Sequence, residues 1–362
     1  MNRSHTVDAV VAGGGIIGLS LGLELRQQGL TVKVLDRHHA MRAASWAAGG
    51  MLAARDPENP SALLPLSLLS LALYPAFLEK VTALSGLPVP VRTRRTLQQV
   101  GASHLATGFV EDATIEQIQQ WIPGFASTDQ SGRFFWLEEE SIDPRDLCQA
   151  LPSAFLREKG TLLEGTPVLA VEKASSGLVV ETPHDRIHTS TFINCCGAWA
   201  GEPRLGALPV EPVKGQVVTV ELNPDRLRCV LRTPDFYAIP RGDGRVTIGA
   251  TIEHVGFDQT VEPHRIDELI RAVAGLLPEV DHAPHLETWA GLRPGTPDGL
   301  PILGEMEHCW HATGHYRNGV LLAPATARVV AQSIVGESTD VPLENFSPSR
   351  FATAFVREYT GQ

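Results

Sequence analysis

Residues 7–36 read VDAVVAGGGIIGLSLGLELRQQGLTVKVLD, and the order of residue types in this stretch decides the fold. The apolar run ending at Ala12 predicts a buried strand, residues 13–18 (GGGIIG) a glycine-rich turn, the residues after them a helix, and residues 32–36 a second strand ending in an acid. Strand, turn, helix and strand in that order form the unit that holds the ADP half of a dinucleotide. Gly13 permits the tight turn, Gly15 lets the backbone approach the pyrophosphate, and Gly18 lets the helix lie close to the strand. The first amides and the positive dipole end of that helix then face the phosphates. Asp36 is placed to accept hydrogen bonds from the adenosine ribose, and its charge would repel a 2′-phosphate, which disfavours NADP. FAD and NAD share the ADP moiety, so these residues leave the choice between them open.

The chain has 362 residues, 43% of them hydrophobic, and a formal net charge of −11. That length predicts about two domains with a shared interface, and the composition predicts a fully folded protein. The negative balance argues against a nucleic-acid partner. It leaves room for a small anionic substrate, because one arginine decides the local field. Cys148, Cys195, Cys196, Cys229 and Cys309 form no CxxC pair. They read as reduced thiols of a cytoplasmic protein. Cys195 and Cys196 follow an apolar strand and read as small core residues rather than nucleophiles. His308, Cys309 and His311 alternate across the two faces of a strand, so no metal site is expected. The opening MNRSH runs straight into the first strand, so no signal peptide is expected. Residues 62–73 are rich in leucine, but Pro65, Ser67, Ser70 and, just beyond, Pro75 interrupt the region. It falls short of the roughly 20 uninterrupted apolar residues of a span, so a buried or substrate-side helix is expected and no transmembrane segment.

Further along, residues 41–52 (MRAASWAAGGML) are small enough to let a large flat group lie against the backbone, and equally suit a tightly packed helix start. Residues 61–82 read as helical, residues 89–133 as short strands with a polar helix at 114–121. Asp143 and Pro144 open another helix as cap and first turn. Strands are expected at 161–163, 168–172, 178–181 and 191–194, the last returning to the nucleotide sheet. The stretch 210–289 reads as antiparallel strands, with Arg241-Gly242-Asp243-Gly244 as a hairpin. Strand, glycine turn and helix recur from Trp310 onward.

Four blocks now stand in order over nearly the whole chain: residues 13–18 with Asp36, SWAAGGML at 45–52, AGLRPGTPDG at 290–299 and TGHYRNGVLLAP at 313–324. Together they resemble the D-amino-acid oxidase superfamily, and within it the glycine oxidases of the thiamine-biosynthesis type. The resemblance implies an α/β fold in which a Rossmann-like FAD-binding domain of the glutathione-reductase type (1–85, 141–210 and 290–362) interleaves with a mainly antiparallel substrate domain (86–140 and 211–289). It implies a noncovalent FAD. The sarcosine oxidases of the superfamily attach flavin through a cysteine near residues 297–299, and none is there. Ile16 and Ile17 would follow the pyrophosphate, Asp36 and Arg37 would hold the ribose, and Val168 would meet the adenine region. Ala44, Ser45, Gly49, Gly50 and Met51 would border the diphosphate and flavin. His315, Tyr316, Arg317, Asn318, Gly319, Val320 and Leu321 would wrap the isoalloxazine.

For the substrate, the same resemblance implies Arg293 as a carboxylate clamp, Tyr237 as its hydroxyl partner and Arg317 as a further wall of the site. Arginine suits the task because its planar fork pairs both carboxylate oxygens. The implied reaction is oxidative deamination of glycine or another small amine such as sarcosine, D-alanine or D-proline. Hydride leaves Cα for flavin N5, the imine hydrolyses to an oxo acid and ammonia, and molecular oxygen is reduced to hydrogen peroxide. Service to thiamine thiazole synthesis and a homotetramer are implied as well. A dehydrogenase of D-amino acids or proline that feeds a quinone, an FAD protein without turnover and an NAD-dependent dehydrogenase stand as alternatives.

Overall fold

In the computed structural model, which describes residues 5–100, 111–126 and 132–351, the first strand is His5–Ala12, the helix Ile16–Gln27 and the second strand Val32–Leu35. The strand Arg186–Asn194 returns beside the first, parallel to it. The register sets Ala12 opposite both Leu35 and Asn194. Three chain segments therefore leave the sheet at one level, through Gly13, Asp36 and Cys195. That edge, the carboxyl end of a parallel sheet, is where open α/β sheets bind ligands. Among the described residues the sheet has eight strands, completed by Thr161–Leu163 beyond Val32–Leu35, by Ile302–Met306 and Cys309–Thr313 on the other flank, and by Ala170–Lys173 with Leu178–Glu181. Asp143 caps the helix Pro144–Arg157 by accepting from the Arg145 amide at 3.0 Å, as its sequence predicts. The strand expected at 168–172 starts two residues later, because Pro167 and Val168 border a cavity instead.

A second sheet, also of eight strands among the described residues, runs in the order His285–Gly295, Glu211–Glu221, Arg245–Gly249, Tyr237–Pro240, Val230–Arg232, Thr96–Val100, Arg133–Leu137, Glu111–Asp112. It is antiparallel except where Val230–Arg232 meets Thr96–Val100. The domain boundary expected at residue 290 falls inside its edge strand His285–Gly295, which pairs with Glu211–Glu221 along nearly its whole length. The reading of 210–289 as strands is corrected by the helix Pro263–Ala274. Ile266, Leu269, Ile270 and Val273 recur at helical spacing on one face and pack with Val218, Val220, Val246 and Ile248. Each such side chain contributes about 1.5–3 kcal/mol on burial. One face of this sheet is thus covered by helix, and the other is left for the cavity. The polar helix expected at 114–121 is Ile115–Trp121, with Thr114 and Gln117 forming a capping box. The short strands expected between 89 and 133 fall partly on residues 101–110 and 127–131, outside the described residues.

The leucine-rich stretch forms a short turn, Ser61–Leu63, and the helix Leu64–Ser85. Pro75 does not break it, so the run is longer than its interruptions suggested. By length and composition it could cross a membrane, with a mean hydropathy of 1.8. Its buried face carries polar groups with partners inside the fold: Ser70 Oγ donates to the Leu321 carbonyl at 2.5 Å and Tyr74 Oη to that of Val320 at 2.7 Å. The receiving helix, Gly319–Ile334, is the one that begins after the last glycine turn.

Candidate active site

Glycine is required where backbone segments touch. Gly13 has φ +106°, and a Cβ there would lie 2.3 Å from the Cys195 carbonyl oxygen. A Cβ on Gly18 would lie 1.9 Å from the Gly13 oxygen, so the helix rests directly on the turn. Asp36 braces that turn: its Oδ2 accepts from the Gly14 amide at 2.8 Å and its Oδ1 from the His38 amide at 2.8 Å. Ser45 Oγ accepts from the Ile16 amide at 2.9 Å, tying the short helix Ala44–Ala47 to the start of the first helix. Burial pushes the Cys195 thiol well above its ordinary pKa and that of Cys196 up to about 12, so both stay protonated and neither is a nucleophile.

From this edge a cavity of about 540 Å³ reaches to the second sheet. Gly13, Gly15, Ile16, Ile17, Asp36, Arg37, Ala44, Ser45, Gly49, Gly50, Met51 and Val168 line it, as do His315, Tyr316, Arg317, Asn318, Gly319 and Val320. Gly18 and Leu321 do not. Gly18 serves the helix contact, and Leu321, 1% exposed, packs in the core. The N-terminus of Gly319–Ile334 opens on the cavity through Asn318, Gly319 and Val320, which favours negative charge there. His315 is 3% exposed beside it, with Nε2 3.0 Å from Thr326 Oγ1. Burial lowers its pKa to about 3, so it is neutral.

At the far end the second sheet supplies Tyr237 and Arg293. Val217, Gly249 and Tyr237 stand in one row across three strands, and Gly291 faces Gly215 in the next. The Arg293 guanidinium lies over Gly215, filling the place of a Cβ. Its Nη1 donates to the carbonyls of Thr251 at 3.0 Å and Lys214 at 3.3 Å. Among the described residues no carboxylate pairs with it. Burial also raises the Tyr237 pKa, against the pull of Arg293, Arg241 and Arg317, so the phenol remains a donor. Arg317 differs from Arg293 in being engaged already, by Glu58 and by Asp56 at 3.3 Å. It walls the site as a neutralised side chain.

The family model for FAD dependent oxidoreductases matches residues 8–333. The chain belongs to that family. The chain is 36% identical over 368 residues to the bifunctional protein ThiO/ThiG of Trichormus variabilis, covering 96% of this chain and 55% of that one. It therefore spans about half the length of this relative. To the glycine oxidase of Geobacillus kaustophilus it is 31% identical, covering 96% and 98% of the two chains. The crystal structure of glycine oxidase from Geobacillus kaustophilus superposes with a TM-score of 0.89 at 31% identity, over 96% of this chain and 99% of that one.

The residues present fit the FAD of this family. Bare glycine backbone at Gly13 and Gly15 and the helix start behind it suit a pyrophosphate, Asp36 and Arg37 at the strand end would hold a ribose, and the start of Gly319–Ile334 suits an electron-rich ring. Other cavity residues escaped the sequence reading: Asp56, Glu58, Gln98, Arg232, Trp199 and Phe257. Arg232 is buried against Glu139 at 3.0 Å, and Trp199 stacks between Arg37 and Phe257. Their partners lie far off in the chain, so spacing alone holds no signal for them.

Proposed function

We propose that the protein oxidatively deaminates glycine or another small amino acid, with oxygen as the final electron acceptor. The observation that carries this is Arg293: a half-buried guanidinium in the cavity wall, held by two backbone carbonyls and facing no carboxylate of its own among the described residues. A substrate carboxylate would supply the missing charge, and among the described residues the contacts fall on Nη1, leaving Nε and Nη2 for a bidentate pair. The protonated Tyr237 phenol lines the same cavity, within electrostatic reach of Arg293, as a donor for the same carboxylate. Held at one end, the substrate presents its Cα–H and neutral amine to the cavity, where FAD supplies a two-electron acceptor when bound. The amine lone pair replaces the departing C–H bonding pair, giving an imine that water hydrolyses to an oxo acid and ammonia, while oxygen becomes hydrogen peroxide. No protein base is needed, which suits a site whose one buried histidine, His315, is neutral and turned to Thr326.

The resemblance to ThiO/ThiG and glycine oxidase supports a role in thiamine biosynthesis, and on family grounds we read the protein as a cytoplasmic homotetramer, whose mass light scattering measures. The activity is tested by anaerobic bleaching of the bound flavin with glycine, sarcosine, D-alanine and D-proline, then exposure to air. Rapid recovery with peroxide supports an oxidase, slow recovery turns the reading to a dehydrogenase, and no bleaching rejects it. Arg293→Ala is expected to raise the apparent glycine KM more than about tenfold with flavin retained, and an unchanged KM removes Arg293 from the clamp.

A further inference from the structure

Arg293 is set by two carbonyls, and both belong to one antiparallel bridge. Lys214 and Glu253 exchange backbone hydrogen bonds at 2.9 and 3.0 Å, so the bridge fixes the Lys214 carbonyl directly and that of Thr251 two residues away. Along Glu211–Glu221 side chains alternate: Gly215 and Val217 face the cavity, while Lys214 and Gln216 lie on the face of Val218 and Val220. Behind the clamp, therefore, sits a charged network out of contact with the cavity. Lys214, with a side chain 1% exposed, pairs with Glu253, 9% exposed, at 3.5 Å and with Asp258 at 3.3 Å. Glu253 is the hub, because it also accepts from Gln216 Nε2 at 2.9 Å and from the Thr251 hydroxyl. Thr251 Oγ1 in turn accepts from the Gln216 amide at 2.9 Å.

We infer that Lys214 and Glu253 are positioning residues for Arg293: their ion pair, on the side of the strand away from substrate, locks the two carbonyls that aim the guanidinium. The inference rests on the reading of Arg293 as the carboxylate clamp. Buried ion pairs contribute little net stability, so one placed behind a functional side chain calls for another role, and aiming is the role its neighbours allow. Burial works against the charge on both partners, and hydrogen bonds outweigh it: Asp258 and then Glu253 hold the Lys214 pKa up, and Thr251, Gln216 and Lys214 hold that of Glu253 down. Both groups are thus charged at neutral pH. Either can be neutralised without stranding the other, since Lys214 keeps Asp258 and Glu253 keeps two donors.

The test titrates the FAD-loaded protein with acetate, read from perturbation of the flavin spectrum, beside steady-state kinetics with glycine. Glu253→Gln is expected to weaken acetate binding about fivefold and to raise the glycine KM in parallel, with kcat and flavin content nearly unchanged. Lys214→Met, from the other side of the pair, should do the same. In an Arg293→Lys background, where no planar fork remains to be aimed, Glu253→Gln should have no further effect. Full additivity in that cycle, unchanged acetate affinity in both single variants, or loss of flavin from both overturns the inference. If Arg293→Ala itself leaves acetate affinity intact, it is the clamp reading that fails.

Discussion

A Cβ placed on Gly215 would lie 2.3 Å from an Arg293 nitrogen, and what it meets is the far end of a flexible side chain, not backbone. Substitution there should therefore spare the fold and move the clamp. Gly215→Ala is expected to lower kcat/KM for glycine by about 10²-fold, the cost of a displacement near 1 Å, while the melting temperature and flavin content hold. A full kcat/KM in that variant would show that the guanidinium position does not matter. Arg293 entered through the family motif at 290–299, and the structure sets it inside the strand His285–Gly295. Its supports could not. Lys214 and Glu253 are 39 positions apart in the numbering, and nothing in either neighbourhood announces the bridge that joins them. The same holds for Arg317, which the resemblance implied as a wall of the site and whose partners, Asp56 and Glu58, lie some 260 residues earlier.

Elements with strong local chemistry were legible. The first strand, turn and helix, the Asp143 cap and the hairpin at 241–244 each rest on residues that specify a backbone conformation within a few positions. The helix Pro263–Ala274 was equally local, with Pro263 in its first turn and apolar residues at helical spacing. It was missed because strands dominate the stretch around it, from Glu211–Glu221 to His285–Gly295. The last strand and helix carry a property that no pattern shows. His311 in Cys309–Thr313 and His315 before Gly319–Ile334 are both buried, which lowers their pKa values from 6.5 to about 4 and about 3. The unfolded chain binds these protons at a higher pH than the folded one. The stability tied to the neutral rings is thus full above pH 6.5 and is lost as pH falls towards 4, by up to about 1.4 kcal/mol per pH unit for each ring. Thermal unfolding at pH 7 and pH 5 should show the midpoint falling, and His315→Asn should flatten the dependence. An equal slope in that variant would assign the effect to other groups.

At the scale of the molecule, the fold class was legible because the glycine turn near residue 13 and the one near residue 314 both require a sheet edge, and the parallel register brings those edges together. The interleaving was harder to bound. The strand His285–Gly295 carries Arg293 in the second sheet, and its chain then turns back to the first, so a motif belonging to one ligand spans two layers. The cavity takes walls from Ala12 at one extreme and Val320 at the other. During synthesis, at about 5–20 residues per second, the nucleotide turn emerges early and then waits for roughly three hundred more residues before its pocket can close. Flavin supply can therefore stabilise only finished chains, by binding the folded state, and cannot template the early ones. A cell short of flavin would accumulate complete polypeptides lacking their largest ligand contact, and their turnover, not their rate of translation, would follow the vitamin.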